Sequence, residues 1–315
     1  MIVLKKPKIS QGGRYCLFAC YSPDGSINKS AQTYISQLAQ NNIDVIVCAA
    51  MRDMADTKDF PPIHDAAGIL LRENGGMDFA SWACILKEFP DLYTARQAIF
   101  TNDSVIPLPE LLGKMLAQLE DDPRDFVALT DSYAIKHHAQ SYFFSFNSRA
   151  LQNKTLQAYW GGLEFFEDKS DIIKKHEASL LLRCKKDWGL STDIKFPIEK
   201  ILRTDKFDKI KEINVCHSYW LQLINNGFPF IKFELLRENP FSVPILGWQS
   251  VVELYGLDAD IVAFDLQKQK KVGRSSALQD RARSYYAILE RDPTLYGFLR
   301  EFNKLRRRFR RLRHQ

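Results

Sequence analysis

Five short stretches of this sequence carry side chains suited to polar chemistry. Asn102-Asp103-Ser104 sets a short carboxylate at the end of an apolar run. A carboxylate in that place can hold Mg²⁺ or Mn²⁺, ions that take oxygen ligands and keep several waters. Such an ion neutralises the charge that grows on a diphosphate leaving group. The same three residues are also ordinary turn chemistry. Asn74-Gly75-Gly76, with Asp78 just beyond, can bring backbone N–H groups and a helix N-terminus against a phosphate. A plain strand-to-helix turn is the other reading, since the helix dipole by itself favours Asp78 in a first turn. Arg72 suits a phosphate partner or a structural salt bridge. Glu177, beside His176 on a helical pattern, can act as a general base toward a hydroxyl; a solvated helix face is the more ordinary reading of a glutamate taken by itself. The run from His137 through His138, Gln140 and Ser141 to Tyr142 adds donors, acceptors and titratable rings.

Several chemistries lose their signatures. No G-x-G-x-x-G follows the first strand and no G-x-x-x-x-G-K-[ST] occurs, which removes the main marks of dinucleotide and P-loop chemistry. No G-x-S-x-G elbow is present. Adjacent histidines do not share a helix face, so a zinc site of the H-E-x-x-H type is excluded.

The elements around these residues alternate. Arg14–Tyr21 reads as a strand, followed by a helix with Ile27, Ala31, Tyr34, Ile35 and Leu38 at helical spacing. Ile43–Ala50 is a continuous apolar run, as in a strand buried on both faces. Ile69–Arg72, Ala98–Thr101, Phe126–Thr130 and Tyr142–Phe146 read as further strands. Helices are expected over Asp78–Phe89 and over Asp171–Gly189, the second stopped by its glycine. Tyr219–Asn226 follows, and Phe228–Arg237 reads as strand-like up to Asn239-Pro240. Strands alternating with helices predict an α/β fold with a mostly parallel central sheet flanked by helices. Ligands of such sheets gather at the carboxyl ends of the strands, where Arg52-Asp53, Arg72-Glu73-Asn74, Asn102-Asp103-Ser104 and Asp131-Ser132 fall.

The chain has 315 residues, 45% hydrophobic and 26% charged, a globular composition. No apolar run reaches the ~18 residues of a transmembrane helix, and Met1–Ser10 does not read as a secretory signal. The six cysteines, at 16, 20, 48, 84, 184 and 216, form no C-x-x-C pair and suit reduced core thiols in a cytoplasmic protein. The net charge of +6 is concentrated: residues 300–315 hold eight Lys/Arg and one acid, Glu301, so the rest of the chain sums to −1. That near-neutral body argues against a nucleic-acid partner.

Leu295, Phe298, Leu299, Phe302, Leu305, Phe309 and Leu312 recur at three- and four-residue steps, with basic residues mostly opposite. A basic amphipathic helix of this kind suits an anionic membrane surface; docking on its own domain is the alternative. The expected organisation is one domain over 1–285 and a basic amphipathic C-terminal helix over 286–315.

Taken in order, the segments RENGGMDFASW (72–82), FTNDSVIPLPE (100–110), LTDSYAIKHHAQSYFFSFN (129–147), KKHEASLLLRCKKDWG (174–189) and PFIKFELLRENP (229–240), with Trp248 beyond, resemble the rhamnan synthesis protein F family of bacterial glycosyltransferases. The resemblance implies a GT-A-like fold and transfer of a sugar, such as rhamnose, from a nucleotide-sugar donor. The acceptor would be a lipid-linked or growing cell-surface polysaccharide: a rhamnan, O-antigen or capsule. It implies Glu177 as the base of an inverting reaction, Asp103 as a ligand for Mg²⁺ or Mn²⁺, and Arg72, Asn74, Asp78, Asn102 and Asp103 as donor-site residues. Asp131, His138, Gln140 and Ser141 fall on the acceptor side. Two departures stand out: one carboxylate where an Asp-x-Asp pair is usual, and Ala139 in place of a larger apolar residue. Lys232 and Asn239 match the family's pattern without an assigned role. The implied setting is the inner face of the cell membrane, among other polysaccharide-assembly enzymes. A non-catalytic membrane scaffold of such an assembly is the competing reading.

Overall fold

The computed structural model describes residues 1–54, 60–202 and 213–269. The expected C-terminal helix and the boundary at 285 lie outside those residues. The central sheet has eight strands in the order β1-β4-β3-β2-β5-β10-β7-β11. These are β1 (Ile2–Lys5), β2 (Arg14–Tyr21), β3 (Asp44–Met51), β4 (Ala66–Glu73), β5 (Gln97–Asn102), β7 (Phe126–Ala128), β10 (Phe143–Asn147) and β11 (Thr192–Ile194). β2, β3, β4, β5, β7 and β11 run parallel to one another, while β1 and β10 run against their neighbours. The mostly parallel α/β sheet expected from the sequence is therefore present.

Burial follows the two-residue period of a strand. Along β2, Cys16, Phe18 and Cys20 enter one core layer, and Tyr15, Leu17 and Ala19 the other. The first layer is closed by α1 (Lys29–Gln40) and α3 (Pro109–Glu120), through Tyr34, Ile35, Leu38, Leu112, Met115 and Leu116. The second is closed by α2 (Met77–Glu88), α4 (Lys154–Gly161) and the long helix α5 (169–187). Its centre is aromatic: Phe100 stacks on Phe144 at 4.8 Å and on Trp160 at 5.2 Å, and Trp82 meets Phe144 edge-on at 5.3 Å. A third, smaller cluster joins Ile106, Trp220, Ile231, Phe233, Val252 and Val262 under α6 (Trp248–Leu254) and α7 (Ala259–Gln269).

Two expectations need correction. Phe228–Arg237 is not one strand: only β12 (Phe230–Lys232) is extended, paired antiparallel with β6 (Val105–Pro107), and Phe233–Arg237 turns into a helix. β12 carries apolar side chains on both faces because it lies between two core clusters, with Phe230 facing one and Ile231 the other. Such a run carries no readable period. The helix expected over 171–189 is also interrupted. Lys169–Ile172 and Ala178–Leu182 are α-helical, whereas Ile173–Glu177 and Arg183–Asp187 are π turns. Gly189, at φ +62°, lies two residues beyond the last turn, in the left-handed conformation of a helix stop.

Parallel strands share a carboxyl edge. The ends of β2, β4, β5 and β7 open there, and because β10 is reversed its entry, Ser141 and Tyr142, returns to the same edge.

Candidate active site

At the end of β5, Asn102 is buried and its amide donates to Asp78 Oδ2 at 2.7 Å. Asn102 Oδ1 accepts from the Ser104 backbone N–H at 3.1 Å and from Ser104 Oγ at 2.6 Å, an Asx turn that fixes the loop. Asp103 Oδ2 accepts from the Tyr21 N–H at the end of β2, 3.1 Å away. Asp78 and Asp103 are both half-buried. Burial pushes the Asp103 carboxyl up, and the neighbouring charge of Asp78 adds to this, to about 7. Asp78 is raised mainly by burial, and Glu177 contributes; the Asn102 hydrogen bond and the charges of Lys232 and Arg72 oppose the shift. Two carboxylates repelling each other at a sheet edge attract a cation.

The donor-side turn is held from beneath. Arg72 is buried, and its guanidinium donates to Ser81 Oγ at 2.9 Å and to the carbonyls of Glu73, Gly75 and Met77 at 2.9, 2.6 and 2.6 Å. Its fork thus binds the turn that begins α2. Asn74 follows at the end of β4, its backbone N–H given to Met51 O at 2.9 Å and its residue exposed. Gly75, Gly76 and Met77 all have positive φ, and Gly76 is the N-cap of α2 with no side-chain cap. The first helical hydrogen bond runs from Ala80 to Gly76. The N–H groups before it have no partner within the helix.

On the opposite side, Glu177 is half-buried and its Oε1 accepts from the Ser141 N–H at 3.0 Å. Its sequence neighbour His176 is in the core, between Tyr159 Oη at 3.1 Å and the Glu164 carbonyl at 2.9 Å, stacked on Phe79. Burial holds the His176 imidazole below its ordinary value. Gln140 Oε1 lies 2.8 Å from Thr130 Oγ1, and its N–H donates to Thr130 O at 2.9 Å.

Asp131 and His138 lie deeper. Asp131 is buried, with Oδ1 accepting from the Ile198 N–H at 2.8 Å and Oδ2 at 2.7 Å from His137 Nε2. His138 pairs with Ser132 across the short ladder of β8 (Asp131–Ser132) and β9 (His138–Ala139), with Nδ1 at 2.7 Å from the Lys136 carbonyl. Among the described residues no hydrogen bond joins Asp131 or His138 to Asp78, Asp103 or Glu177. The structure thus brings together Asp78, Asn102 and Asp103, and sets Glu177, tied to Ser141, near enough to raise Asp78. Asp131 and His138 shape the connection that returns the chain to Ser141.

Lys232 is the site residue without a role in the sequence reading. Its ammonium lies 3.3 Å from Ser104 Oγ and 3.7 Å from the centre of the Tyr142 ring. Burial pushes it down to about 8, although the charges of Cys216, Glu177, Asp78 and Glu234 act upward. One charged residue inside the apolar stretch FPFIKF (228–233) is the signal that marks it.

A divalent cation fits Asp78 and Asp103. Mg²⁺ is commonly held by one or two carboxylates plus substrate phosphates, and the repulsion between these two carboxyls is what a cation relieves. Among the described residues no group of three or more His, Cys, Asp and Glu side chains forms a cage for a metal.

Comparison with known proteins shows a family for this chain. The model of the family described as rhamnan synthesis protein F matches residues 45–249. The virulence protein VirA of Vibrio anguillarum is 34% identical over 213 residues, covering 59% of this chain and 67% of VirA. Among solved structures, the glycosyltransferase GlyE of Streptococcus pneumoniae matches 84% of this chain and 66% of its own at 13% identity, with a TM-score of 0.41. A putative nucleotide-diphospho-sugar transferase of Desulfovibrio desulfuricans matches 78% of this chain and 100% of its own at 12% identity, with a TM-score of 0.34. The chain thus spans about two-thirds of the length of VirA and of GlyE.

Proposed function

The chain belongs to the rhamnan synthesis protein F family, and on that premise we propose that it is a glycosyltransferase using a nucleotide-sugar donor to extend a polysaccharide. The observation that supports this most is the meeting of an acid pair, Asp78 and Asp103, with a separately held carboxylate, Glu177, at one carboxyl edge of a parallel sheet.

In this reading Glu177 accepts the proton of the acceptor hydroxyl. The Ser141 N–H fixes one oxygen of that carboxylate, so its orientation is set before the acceptor arrives. The hydroxyl oxygen forms the new bond to the anomeric carbon as the bond to the diphosphate breaks. The leaving group carries away the electron pair, and a single displacement inverts the centre. The open N–H groups at the start of α2 face developing negative charge. Mg²⁺ or Mn²⁺ held by Asp78 and Asp103 would supply Lewis-acid stabilisation of that charge. Arg72 acts by holding the turn rather than by reaching for phosphate, since its guanidinium is taken up by a hydroxyl and three carbonyls.

Rhamnose is the proposed sugar. A lipid-linked or growing cell-surface glycan (a rhamnan, O-antigen or capsule) is the proposed acceptor, and residues 286–315 are proposed to bring the protein to the anionic inner face of the membrane. No described helix is long and apolar enough to cross a membrane. The test is a panel of nucleotide sugars, with and without Mn²⁺, scored for thermal protection and turnover; a ligand that binds the folded state alone raises its stability. One donor should protect and be consumed. A panel in which none does either overturns the reading.

A further inference from the structure

Resting on the glycosyltransferase reading, we propose that Lys232 is the cationic receptor for the diphosphate of the donor and for the nucleoside diphosphate that departs. The geometry begins with strand pairing. β12 aligns Lys232 opposite Val105, Ile231 opposite Ile106 and Phe230 opposite Pro107. Alternation puts Lys232 on the face of Phe230, which packs toward Tyr142 with ring centres 6.4 Å apart. The next residue closes the pairing: the Phe233 N–H donates to the Ser104 carbonyl at 2.9 Å. The side chain is thereby laid over Tyr142, with its ammonium against Ser104, the residue that follows Asp103.

Lys232 is half-buried, yet no carboxylate of the described residues lies within ion-pair distance of its ammonium. Asp78, Glu177 and Glu234 act on it only through the field, and buried His217 is the nearby imidazole. Arg237, one helical turn further on, contributes positive field at Asp103. A cation withdrawn from water without a contacting anion is poised to receive one. Its neighbours say where: beside the Asn102–Ser104 turn and within the field of Glu177. The attraction of the Tyr142 ring and one hydroxyl only partly replaces the lost hydration. A lysine acts on phosphate as a compact point charge, so it suits a group whose charge increases as the bond breaks.

The test compares wild type with Lys232→Met, Lys232→Gln and Lys232→Arg by calorimetric titration with nucleoside diphosphates and the matching nucleosides, with and without Mn²⁺. Loss of the charge should weaken diphosphate binding by about 10- to 100-fold, leave nucleoside binding in place and flatten its dependence on salt. Lys232→Arg should restore part of the affinity. The paired variants separate charge from packing: Met keeps the apolar stem, and Gln keeps a polar end. Equal diphosphate affinity in wild type and in folded Met or Gln variants overturns the role of Lys232 alone. Failure of wild type to bind any nucleoside diphosphate overturns the glycosyltransferase reading, and this role with it.

Discussion

Glu177 and Ser141, 36 positions apart, are joined by one hydrogen bond of 3.0 Å from backbone N–H to carboxylate. It is the tie between α5 and the entry to β10, and it orients the carboxylate without neutralising it. Glu177→Gln keeps an acceptor for that N–H but cannot take a proton. Sugar transfer should fall by about 10²- to 10⁴-fold, with donor binding unchanged. Steady-state turnover beside a donor titration checks this, and retention of most turnover would remove Glu177 from the mechanism.

Asp103 should cost stability at neutral pH. Its folded-state value near 7 lies above the ordinary 3.8. Between those values the folded protein holds a proton that the unfolded chain has released, so this group's contribution is most favourable at low pH and is lost as pH rises toward 7. Asp103→Asn removes that loss while leaving an oxygen for the Tyr21 N–H. The variant should be more thermostable than wild type at pH 8, with the gain shrinking toward pH 4, and should lose activity. A melting series across pH tests it; a gain independent of pH would contradict the cause given.

Arg72 should behave as a structural residue. Replacing it by Met leaves the carbonyls of Glu73, Gly75 and Met77 without their donor. The expected loss is at least about 2 kcal/mol. Lysine should rescue little, because a point charge cannot reproduce the fork. Denaturant unfolding of the two variants decides between this role and a purely ligand-directed one, which would leave stability intact.

Gly76→Ala tests the turn directly. At φ +64° a Cβ is strained, and it would stand 2.7 Å from the Ala80 Cβ. A loss of about 1–3 kcal/mol is expected, accompanied by weaker binding of a nucleoside diphosphate because the start of α2 must shift. Unchanged stability would show that the turn relaxes freely.

The parallel strands were legible because both faces of the sheet are covered, which leaves continuous apolar runs such as Ile43–Ala50. The shared carboxyl edge brought the Arg72–Asn74 and Asn102–Ser104 segments together, while the grouping of Asp78 with Asn102 and Asp103 came from the family resemblance. Less was legible where structure depends on partners distant in sequence. The four-residue β1 exists only through its pairing with β4. Phe228–Arg237 hid a strand and a helix in one stretch. The guanidinium of Arg72 finds its acceptors in a turn whose three positive φ values no composition announces.

The interruption of α5 has a consequence for rotation about its axis. A π turn takes one more residue than an α turn, so Ile173–Glu177 and Arg183–Asp187 act as two slips in a screw thread. Removing one residue from the first would turn the preceding segment by about 100° relative to the following one. Ile172, buried in the second core layer, could then no longer keep its place while His176 stayed between Tyr159 and Glu164 and Glu177 met Ser141. The core imidazole and the half-buried carboxylate beside it share one angular setting, which the packing of Ile172 fixes.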